Sequence, residues 1–246
     1  CGLTQQSPVP DSTAAFYLDY PIHVPKSRLF SLARKLLIRR VYFAPSAEEA
    51  GCTLLDFGCG DGAYLETVEG RVARRLGFEP SATQAAAVSA RLGIPVASDL
   101  ADDTLVPDGS VDLVTSHFVL EHLTDLRGTF AYWHRKLKPG GTLHLAVPNL
   151  DCFEARLFGK RWHGLDAPRH ISFPAGASLA RLAEGSGFRI LRSGTGVFPN
   201  TWAASLVAAL LGRHHQGLFL LAMPLAFLLA TLMPQSTAVY LLKKDL

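Results

Sequence analysis

The chain has 246 residues, 48% of them hydrophobic, and carries a formal net charge of +3. This length and composition predict one globular domain with a full core, with or without an appendage, and exclude intrinsic disorder. The slight charge, without Lys/Arg clusters interleaved with aromatic residues, argues against a nucleic-acid partner. Four cysteines, at positions 1, 52, 59 and 152, form neither a metal-ligand spacing nor a disulfide framework. A reducing compartment, the cytoplasm, is therefore expected.

The N-terminal residues 1–46 are predicted to form a segment distinct from the domain that follows. Residues 1 to 25 contain prolines and little periodicity, so an extended conformation is expected. From Lys26 to Phe43, apolar residues recur at helical spacing and the opposite face is basic. This basic amphipathic helix either packs on the domain with a solvated face or contacts a membrane surface. Because the chain starts at Cys1, we expect a fragment with missing upstream sequence or, as the alternative, a processed lipoprotein.

Strands and helices alternate from residue 47 onward, and residues 47–246 are predicted to be the main domain. Alternation at this length indicates βαβ units and a mostly parallel sheet with helices on both faces. The predicted strands are "CTLLDF", the end of "VARRLGFE", "IPVAS", "VDLVTS", "GTLHLAVP", "RILRSG" and "STAVYLLKK". One predicted helix starts with the residues Gly62 to Val68, and the others are "SATQAAAVSARL", "LRGTFAYWHRKL" and "SLARLAEGSGF".

A hydrophobic insert, at about residues 201–235, separates the last two predicted strands. Its stretch Leu218 to Met233 carries no charge, yet it is shorter than the roughly 20 residues that a spanning helix needs. We expect Pro224 to interrupt it. Three interpretations stay open: a helical hairpin folded on the domain, a monotopic insert in the membrane interface, or a dimer interface.

The stretch "LLDFGCGDGAYL", Leu54 to Leu65, places a glycine-rich turn directly after an apolar strand. Glycine at such a turn lets a ligand approach the main chain, and the following helix N-terminus offers N–H groups. Gly58, Gly60 and Ala63 satisfy the dinucleotide pattern, with Glu79 near the position of a ribose-binding acid. The turn alone therefore leaves both NAD and S-adenosylmethionine as candidates.

Four blocks in order, "LLDFGCGDG", "GFEPS", "VPDGSVDLVTSHFVLEHL" and "RKLKPGGTLHLAVPN", resemble the class I S-adenosylmethionine-dependent methyltransferases. The resemblance covers about Leu54 to Asn149 and implies a Rossmann-like, seven-stranded sheet whose last strand is antiparallel. It implies S-adenosylmethionine as cofactor, with Gly58, Gly60 and Gly62 passing under the methionine part and Asp56 orienting that loop. Glu79 would accept both ribose hydroxyls, since a carboxylate suits two donors.

The same resemblance assigns further cofactor contacts along the sheet edge. Pro80 and Ser81 would lie beside the adenine, and Asp99, or instead Asp102, would bond its amino group. Ser116 and His117 would face the methionine and the transferred methyl. Cys59 belongs to the cofactor turn as a small packing residue, because no basic partner indicates a reactive thiol.

The stretch "FGKRWHGLDAPRHISFPAGASL", Phe158 to Leu179, follows the fifth strand and resembles that of a bacterial subfamily similar in layout to ubiquinone-type O-methyltransferases. By this likeness His170 would face the active site, as general base or acceptor-orienting group. Arg169 either binds an acidic group of the acceptor or pairs with Asp166. His122 is expected to pack the turn after the fourth strand, and His134 to lie at the surface. The expected catalytic histidines are His170 and His117, and the expected acceptor-binding residues are Tyr20, Trp162, His163, Arg169 and His170.

The N-terminal stretch "CGLTQQSPVPDSTAAFYLDY" resembles a segment that follows a small zinc module in related methyltransferases. Tyr17 and Tyr20 would then belong to a lid over the cofactor, formed by residues 1–46. One cysteine cannot hold zinc, so no metal is expected in this chain. No Asn-Pro-Pro-Tyr occurs, which argues against DNA or protein amide methylation.

Together these patterns predict an S-adenosylmethionine-dependent methyltransferase that acts on a small-molecule or lipid-linked acceptor, at oxygen. The enzyme is expected in the cytoplasm, with peripheral contact at the inner face of the membrane as an option. Two other functions stay open: a non-catalytic cofactor-binding module of the same fold, and an NAD-dependent oxidoreductase.

Overall fold

A computed structural model of the chain describes residues 2–9, 38, 42–101, 104–212, 215–233 and 235–245. Within these ranges, seven strands form one sheet and two short strands form a second. The strands are β1 (Thr4–Gln5), β2 (Thr53–Phe57), β3 (Arg74–Phe78), β4 (Val96–Ala97), β5 (Val111–His117), β6 (Leu137–Pro148), β7 (Ser172–Phe173), β8 (Phe188–Gly196) and β9 (Thr237–Lys244).

The large sheet has the order β4-β3-β2-β5-β6-β9-β8. Strands β4, β3, β2, β5 and β6 are parallel to one another, whereas β9 is antiparallel to both β6 and β8. The last strand therefore inserts in the reverse direction between its two neighbours. The predicted fold class, a mostly parallel Rossmann-like sheet with an antiparallel last strand, is confirmed.

Helices connect the strands and cover both faces of the sheet. They are α1 (Ala63–Thr67), α2 (Ala82–Leu92), α3 (Leu126–Lys136), α4 (Phe153–Phe158), α5 (Gly176–Glu184), α6 (Pro199–Leu211) and α7 (Gln216–Leu232). The side chain of Ser81 accepts a hydrogen bond from the Gln84 amide and so caps α2, and Asp125 caps α3 in the same way. These side chains satisfy amides that have no partner inside the helix, which fixes where each helix starts.

Two hydrophobic clusters lie on opposite faces of the sheet. The larger contains Phe57, Phe130 and Trp133 and lies under α3 and α5. The smaller contains Leu54, Tyr64 and Leu65 and lies under α1. Alternate residues of β2 thus point into opposite clusters, as the two-residue period of a strand requires. A strand buried on both faces has to be apolar throughout, and this explains the "TLLDF" run with one acidic exception.

The insert between β8 and β9 is a helical hairpin of α6 and α7. Ala226 and Ala230 of α7 are buried against Trp202 and Ala203 of α6. The expectation that Pro224 interrupts this segment is wrong, because α7 continues through it. A proline inside a helix removes one backbone hydrogen bond at a cost of about 3 kcal/mol, which the small-residue packing against α6 offsets.

The outer side of this hairpin exposes leucines, which we call the hairpin leucines. The exposed fraction reaches 79% at Leu210 and 75% at Leu221. The hairpin leucines are Leu210, Leu211, Leu218, Leu220, Leu221, Leu225, Leu228 and Leu232. Among the described residues, no helix is both long and apolar enough to cross a bilayer.

The described N-terminal residues contribute a strand that the sequence did not predict. β1 pairs with β7 in antiparallel register, and the Gln6 amide donates to the Ile171 carbonyl at 2.8 Å. The start of the chain is thereby fastened to the segment that contains His170. Most of the predicted basic helix lies outside the described residues, and so do Tyr17 and Tyr20. The predicted boundary between the N-terminal segment and the main domain, at residue 46, therefore stays a prediction.

Candidate active site

The glycine turn after β2 has the backbone that its sequence predicts. Gly58, Gly60 and Gly62 all have positive φ, at +82°, +54° and +73°. The amides of Gly58 and Cys59 both donate to the Phe78 carbonyl, at 2.8 and 2.9 Å, and so join the turn to the end of β3. A side chain at Gly58 would collide with Val119. Glycine is thus required by backbone conformation and by space.

Glu79, at the end of β3, points its carboxylate at this turn. Its Oε2 accepts from the Gly60 amide at 3.0 Å, and its Oε1 accepts from the Ser81 amide at 3.1 Å. Each oxygen is oriented by one main-chain donor and keeps further acceptor capacity. The two oxygens can therefore receive two vicinal hydroxyl groups beside the turn.

Asp56 is the acidic exception in the apolar β2 strand. Because Asp56 pairs in register with Thr115, its Oδ1 accepts from the Thr115 hydroxyl at 2.8 Å. Burial raises the pKa of Asp56 to about 7, with the nearby charge of Glu79 adding to the rise and the Thr115 bond opposing it. This carboxylate is therefore a buried acceptor beneath the turn, suited to a cationic or hydrogen-donating group.

His117 ends β5 among aromatic rings. Its ring centroid lies 4.6 Å from that of Tyr42 and 4.8 Å from that of Tyr64, and its Nδ1 lies 3.9 Å from Asp56 Oδ1. Burial lowers the pKa of His117 to about 3, so the imidazole is neutral at pH 7. Phe118, which follows, has a φ of +58° and packs edge-on against Phe198 at 4.9 Å. Such strained residues are frequent at functional sites.

One buried hydroxyl group nearby lacks a partner. Ser116 Oγ is buried and has no hydrogen-bond partner within the ranges that the structure describes. Buried polar atoms are normally bonded, so orphaned ones indicate a place where a ligand supplies the partner. The structure places Ser116 and His117 at the end of β5, with His117 beside Asp56. That the two residues face the methionine and the transferred methyl stays a prediction.

The remaining predicted cofactor residues lie around the same edge. Cys59 is buried with its Sγ against Gly77, and burial raises the pKa of its thiol, which makes it unreactive. Pro80 is exposed and precedes the Ser81 cap. Asp99 is exposed, and its Oδ1 accepts from the Ala101 amide at 2.9 Å. The alternative residue Asp102 lies outside the described part of the chain.

A cavity of about 300 Å³ lies between the 160–167 loop and α6. Its lining includes the predicted residues Trp162 and His163, and a basic pair, Lys160 and Arg161. The Arg169 guanidinium pairs with Asp166 at 2.6 Å. The structure thus gathers Trp162, His163 and Arg169 in one loop; Tyr20 lies outside the described residues.

Glu154, which the sequence reasoning missed, connects this loop to the hairpin. Its carboxylate is buried and accepts from Trp162 Nε1 at 3.1 Å, Thr201 Oγ1 at 3.2 Å and Ser205 Oγ at 3.3 Å. Burial raises the pKa of Glu154 to about 7, against the lowering effect of these hydrogen bonds. The position of Trp162 is therefore set by a carboxylate on α4.

His170 lies beside two residues that follow β5. Its ring centroid is 4.7 Å from that of His122, and its Nε2 is 4.0 Å from Glu121 Oε1. Burial lowers the pKa of His170 to about 4 and raises that of Glu121 to about 8. Sequence reasoning overlooked Glu121. The available signal was a carboxylate inside the apolar run "HFVLEHL".

Comparison with known proteins identifies the family. A family model described as "Methyltransferase domain" matches residues 28–193, more than half of the chain. The chain belongs to the methyltransferase domain family. A protein of Mycolicibacterium smegmatis named "Probable S-adenosylmethionine-dependent methyltransferase" is 29% identical over 163 residues, which are 65% of this chain and 60% of that protein.

Two further likenesses concern O-methyltransferases. A "Ubiquinone biosynthesis O-methyltransferase" of Methylobacterium sp. is 28% identical over 159 residues, covering 60% of this chain and 64% of that protein. The solved O-methyltransferase of a Brevibacillus brevis multienzyme, in complex with S-adenosyl-L-homocysteine, is 18% identical with a TM-score of 0.58, covering 88% of this chain and 76% of that one. This second likeness concerns the fold. The chain spans less than two thirds of the length of the first curated relatives it matches.

These findings confirm the predicted methyltransferase family and its cofactor, S-adenosylmethionine. The residues on this sheet edge fit that cofactor. The glycine turn has no side chain to obstruct a ligand, Glu79 suits two ribose hydroxyls, and Asp56 and Ser116 present polar atoms for an amino-acid part. The glycine turn alone also allowed an NAD-dependent oxidoreductase, and the family membership now accounts for the turn without that alternative.

Proposed function

We propose that this methyltransferase transfers the methyl group of S-adenosylmethionine to an oxygen atom of a small-molecule or lipid-linked acceptor. The single observation that carries the proposal is the contact of the Glu79 carboxylate with the Gly60 amide, at 3.0 Å. It joins the sugar-binding acid to the turn, so one compact edge can hold the whole nucleoside. The named O-methyltransferase relatives favour oxygen as the acceptor atom.

The residues of this edge would divide the work of holding the cofactor. Glu79 would accept the ribose hydroxyls, the amides of the glycine turn and Asp56 would hold the methionine part, and Ser116 would donate or accept from its buried hydroxyl. When bound, S-adenosylmethionine supplies a methyl group already activated on a sulfonium. The chain therefore has to position the acceptor and exclude water, which is where proximity gives most of the acceleration.

The two predicted histidines take different roles. His117 and His170 are both held neutral by burial, with pKa values lowered to about 3 and about 4. A neutral imidazole has a lone pair that can orient an acceptor hydroxyl. We assign that orienting role to His170, in the loop that carries the predicted acceptor residues, and assign to His117 the wall beside the methyl group.

The hairpin leucines support an acceptor that is presented at a lipid surface. Exposed apolar area of this extent is unusual on a monomer and is typical of interaction surfaces. The basic residues Lys160 and Arg161 share a cavity with Ala208 and Gly212, at the end of α6 where Leu210 and Leu211 are exposed. Leucines flanked by cations are the combination that anionic membrane interfaces bind. Flotation with anionic and with neutral vesicles checks this part of the proposal.

The activity is tested in two steps. Calorimetry with S-adenosylhomocysteine and with NAD first measures which nucleotide the purified chain binds. The chain is then incubated with isotope-labelled S-adenosylmethionine and a cell extract, and mass spectrometry follows methyl gain in metabolites and lipids. Labelled O-methyl products support the proposal. Binding of S-adenosylhomocysteine without any labelled product would instead favour a non-catalytic binding module.

A further inference from the structure

Three side chains with metal-binding atoms lie close together in the structure. Glu121, His122 and His170 each offer one ligand atom, and these atoms all lie within 4.8 Å of one another. Glu121 and His122 belong to the short 3-10 turn Leu120–His122, and His170 precedes β7. The Ile171 amide donates to the Glu121 carbonyl at 2.6 Å. The main chain therefore holds the two segments together independently of the three side chains.

The hydrogen bonds of the two histidines determine which ring nitrogen carries the hydrogen. Nδ1 of His122 lies 2.9 Å from the Arg169 carbonyl, and Nδ1 of His170 lies 2.7 Å from the Gly164 carbonyl. A carbonyl oxygen only accepts, so each Nδ1 carries the hydrogen and each Nε2 carries a lone pair. Metal-binding histidines typically donate their other N–H to a carbonyl or carboxylate, which fixes tautomer and ring orientation.

Glu121 supplies an independent observation. Its side chain is 0% exposed, and neither carboxylate oxygen has a hydrogen-bond partner in the described ranges of the chain. Its Oε1 lies 4.0 Å from His170 Nε2, which is beyond hydrogen-bond distance. A buried carboxylate without a donor is costly. A positive ion between Glu121 and the two imidazoles would satisfy it.

One further carboxylate stands beside the three. Asp166 Oδ2 lies 3.8 Å from His170 Nε2, while its Oδ1 is paired with Arg169 at 2.6 Å. The positive charge of Arg169 is thus balanced by Asp166. Two imidazoles with one or two carboxylates suit first-row transition metals, whereas Mg²⁺ and Ca²⁺ prefer oxygen ligands alone.

We propose that Glu121, His122 and His170 bind a divalent first-row transition-metal ion, with Asp166 or solvent completing the coordination. Metal–ligand bonds of about 2.0–2.2 Å hold ligand atoms roughly 3.3 Å apart, so small side-chain rotations close the site. This inference goes beyond the proposed methyl transfer. It gives the Nε2 lone pair of His170 to the ion, so an acceptor hydroxyl would then be oriented by the bound ion and not by the imidazole itself. The expectation of no metal rested on a single cysteine being unable to hold zinc. It does not bear on this cluster, which joins one turn, with Glu121 and His122, to His170 in a segment distant in sequence.

Metal binding is tested on the full chain after removal of metals with a chelator. Titration with Co²⁺ is followed by visible absorption, and Zn²⁺ binding is followed by calorimetry and by metal analysis after dialysis. We expect one ion per chain and cobalt d–d bands, without a thiolate charge-transfer band. Failure of the wild-type chain to retain an ion, or a thiolate band that places the ion on the cysteines, would overturn the proposal.

Variants locate the site. Glu121→Gln and His170→Gln should each weaken Zn²⁺ binding by more than the roughly 10- to 100-fold that loss of an outer-shell partner costs. His134→Gln, on α3 and outside the cluster, is the matched control and should bind as the wild type does. Circular dichroism checks folding, and because the two ligand variants lie on different segments, one suffices if the other misfolds. Equal Zn²⁺ affinity in the wild type and a folded ligand variant would refute the assignment.

Calorimetry with S-adenosylhomocysteine separates this proposal from the proposed function. A metal-free chain that binds S-adenosylhomocysteine but retains no ion overturns the metal site alone. A chain that binds the ion but not S-adenosylhomocysteine supports the metal site and contradicts the proposed function.

Discussion

Replacing Gly58 by alanine tests the central turn, and Gly93 offers a matched control. Both glycines have positive φ, +82° at Gly58 and +64° at Gly93. A Cβ at Gly93 would meet nothing within 4 Å, whereas a Cβ at Gly58 would collide with Val119. The two substitutions therefore share the cost of a left-handed alanine and the change in unfolded-chain entropy, and they differ in the collision.

The magnitude follows from these two contributions. A left-handed conformation costs a residue with a Cβ about 1–2 kcal/mol, and this is the loss in unfolding free energy expected for Gly93→Ala. Overpacking typically adds about 1–3 kcal/mol, so Gly58→Ala should lose about 2–5 kcal/mol in total. Because the unfolding free energy of a domain is about 5–15 kcal/mol, most of the Gly58→Ala protein should still be folded at low temperature.

Urea denaturation followed by circular dichroism measures the two free energies, and calorimetry measures S-adenosylhomocysteine affinity. Relieving the collision requires the turn or the Val119 segment to move, so Gly58→Ala should bind at least about tenfold more weakly, a loss of about 1.4 kcal/mol. Gly93→Ala should bind normally. Equal stability losses in both variants, or an unchanged affinity in Gly58→Ala, would refute the reasoning that the turn is fitted both to Val119 and to the cofactor.

Three further substitutions test other parts of the site. Glu79→Gln replaces one acceptor oxygen with a donor and should weaken S-adenosylhomocysteine binding by roughly 10- to 100-fold, since hydrogen bonds to charged groups contribute about 1.5–3 kcal/mol. The control substitution Glu69→Gln, at an exposed position, should leave the affinity unchanged. Equal affinities of the Glu79→Gln variant and the wild type in calorimetry would contradict the ribose assignment. The pKa of Glu154 rises from 4.5 to about 7 on folding, so the native state holds this proton more tightly, and the stabilisation is complete below pH 4.5 and is lost as the pH rises to about 7. Glu154→Gln should remove this pH dependence of the unfolding free energy, which amounts to up to about 3 kcal/mol at about 1.4 kcal/mol per pKa unit. Urea denaturation at several pH values between 4.5 and 7 measures it. If the unfolding free energies of the wild type and the variant change with pH in parallel, the reasoning is wrong. Leu221→Asp should reduce flotation with anionic vesicles, whereas Leu191→Asp, an exposed leucine outside the hairpin, should leave it unchanged; equal flotation would remove the lipid-surface proposal.

The alternation of strands and helices, the glycine turn and Glu79 were all predictable from sequence, because each is encoded by neighbouring residues. Strand burial dictates an apolar run, a tight turn dictates glycine, and the acid must end the next strand. The family resemblance supplied the position of the last strand. Local rules failed at Pro224, where packing against α6 retains the helix through a residue that disfavours it.

Only the tertiary structure brought Glu121 and His122 to His170, seated Tyr42 against His117, and tied β1 to β7. These contacts join residues far apart in sequence, and no local pattern encodes which partner a buried side chain will meet. The buried carboxylate of Glu121 shows why this matters. In the sequence it is one acidic residue in an apolar run, and its chemistry is decided by the side chains that the fold places around it after water has been excluded.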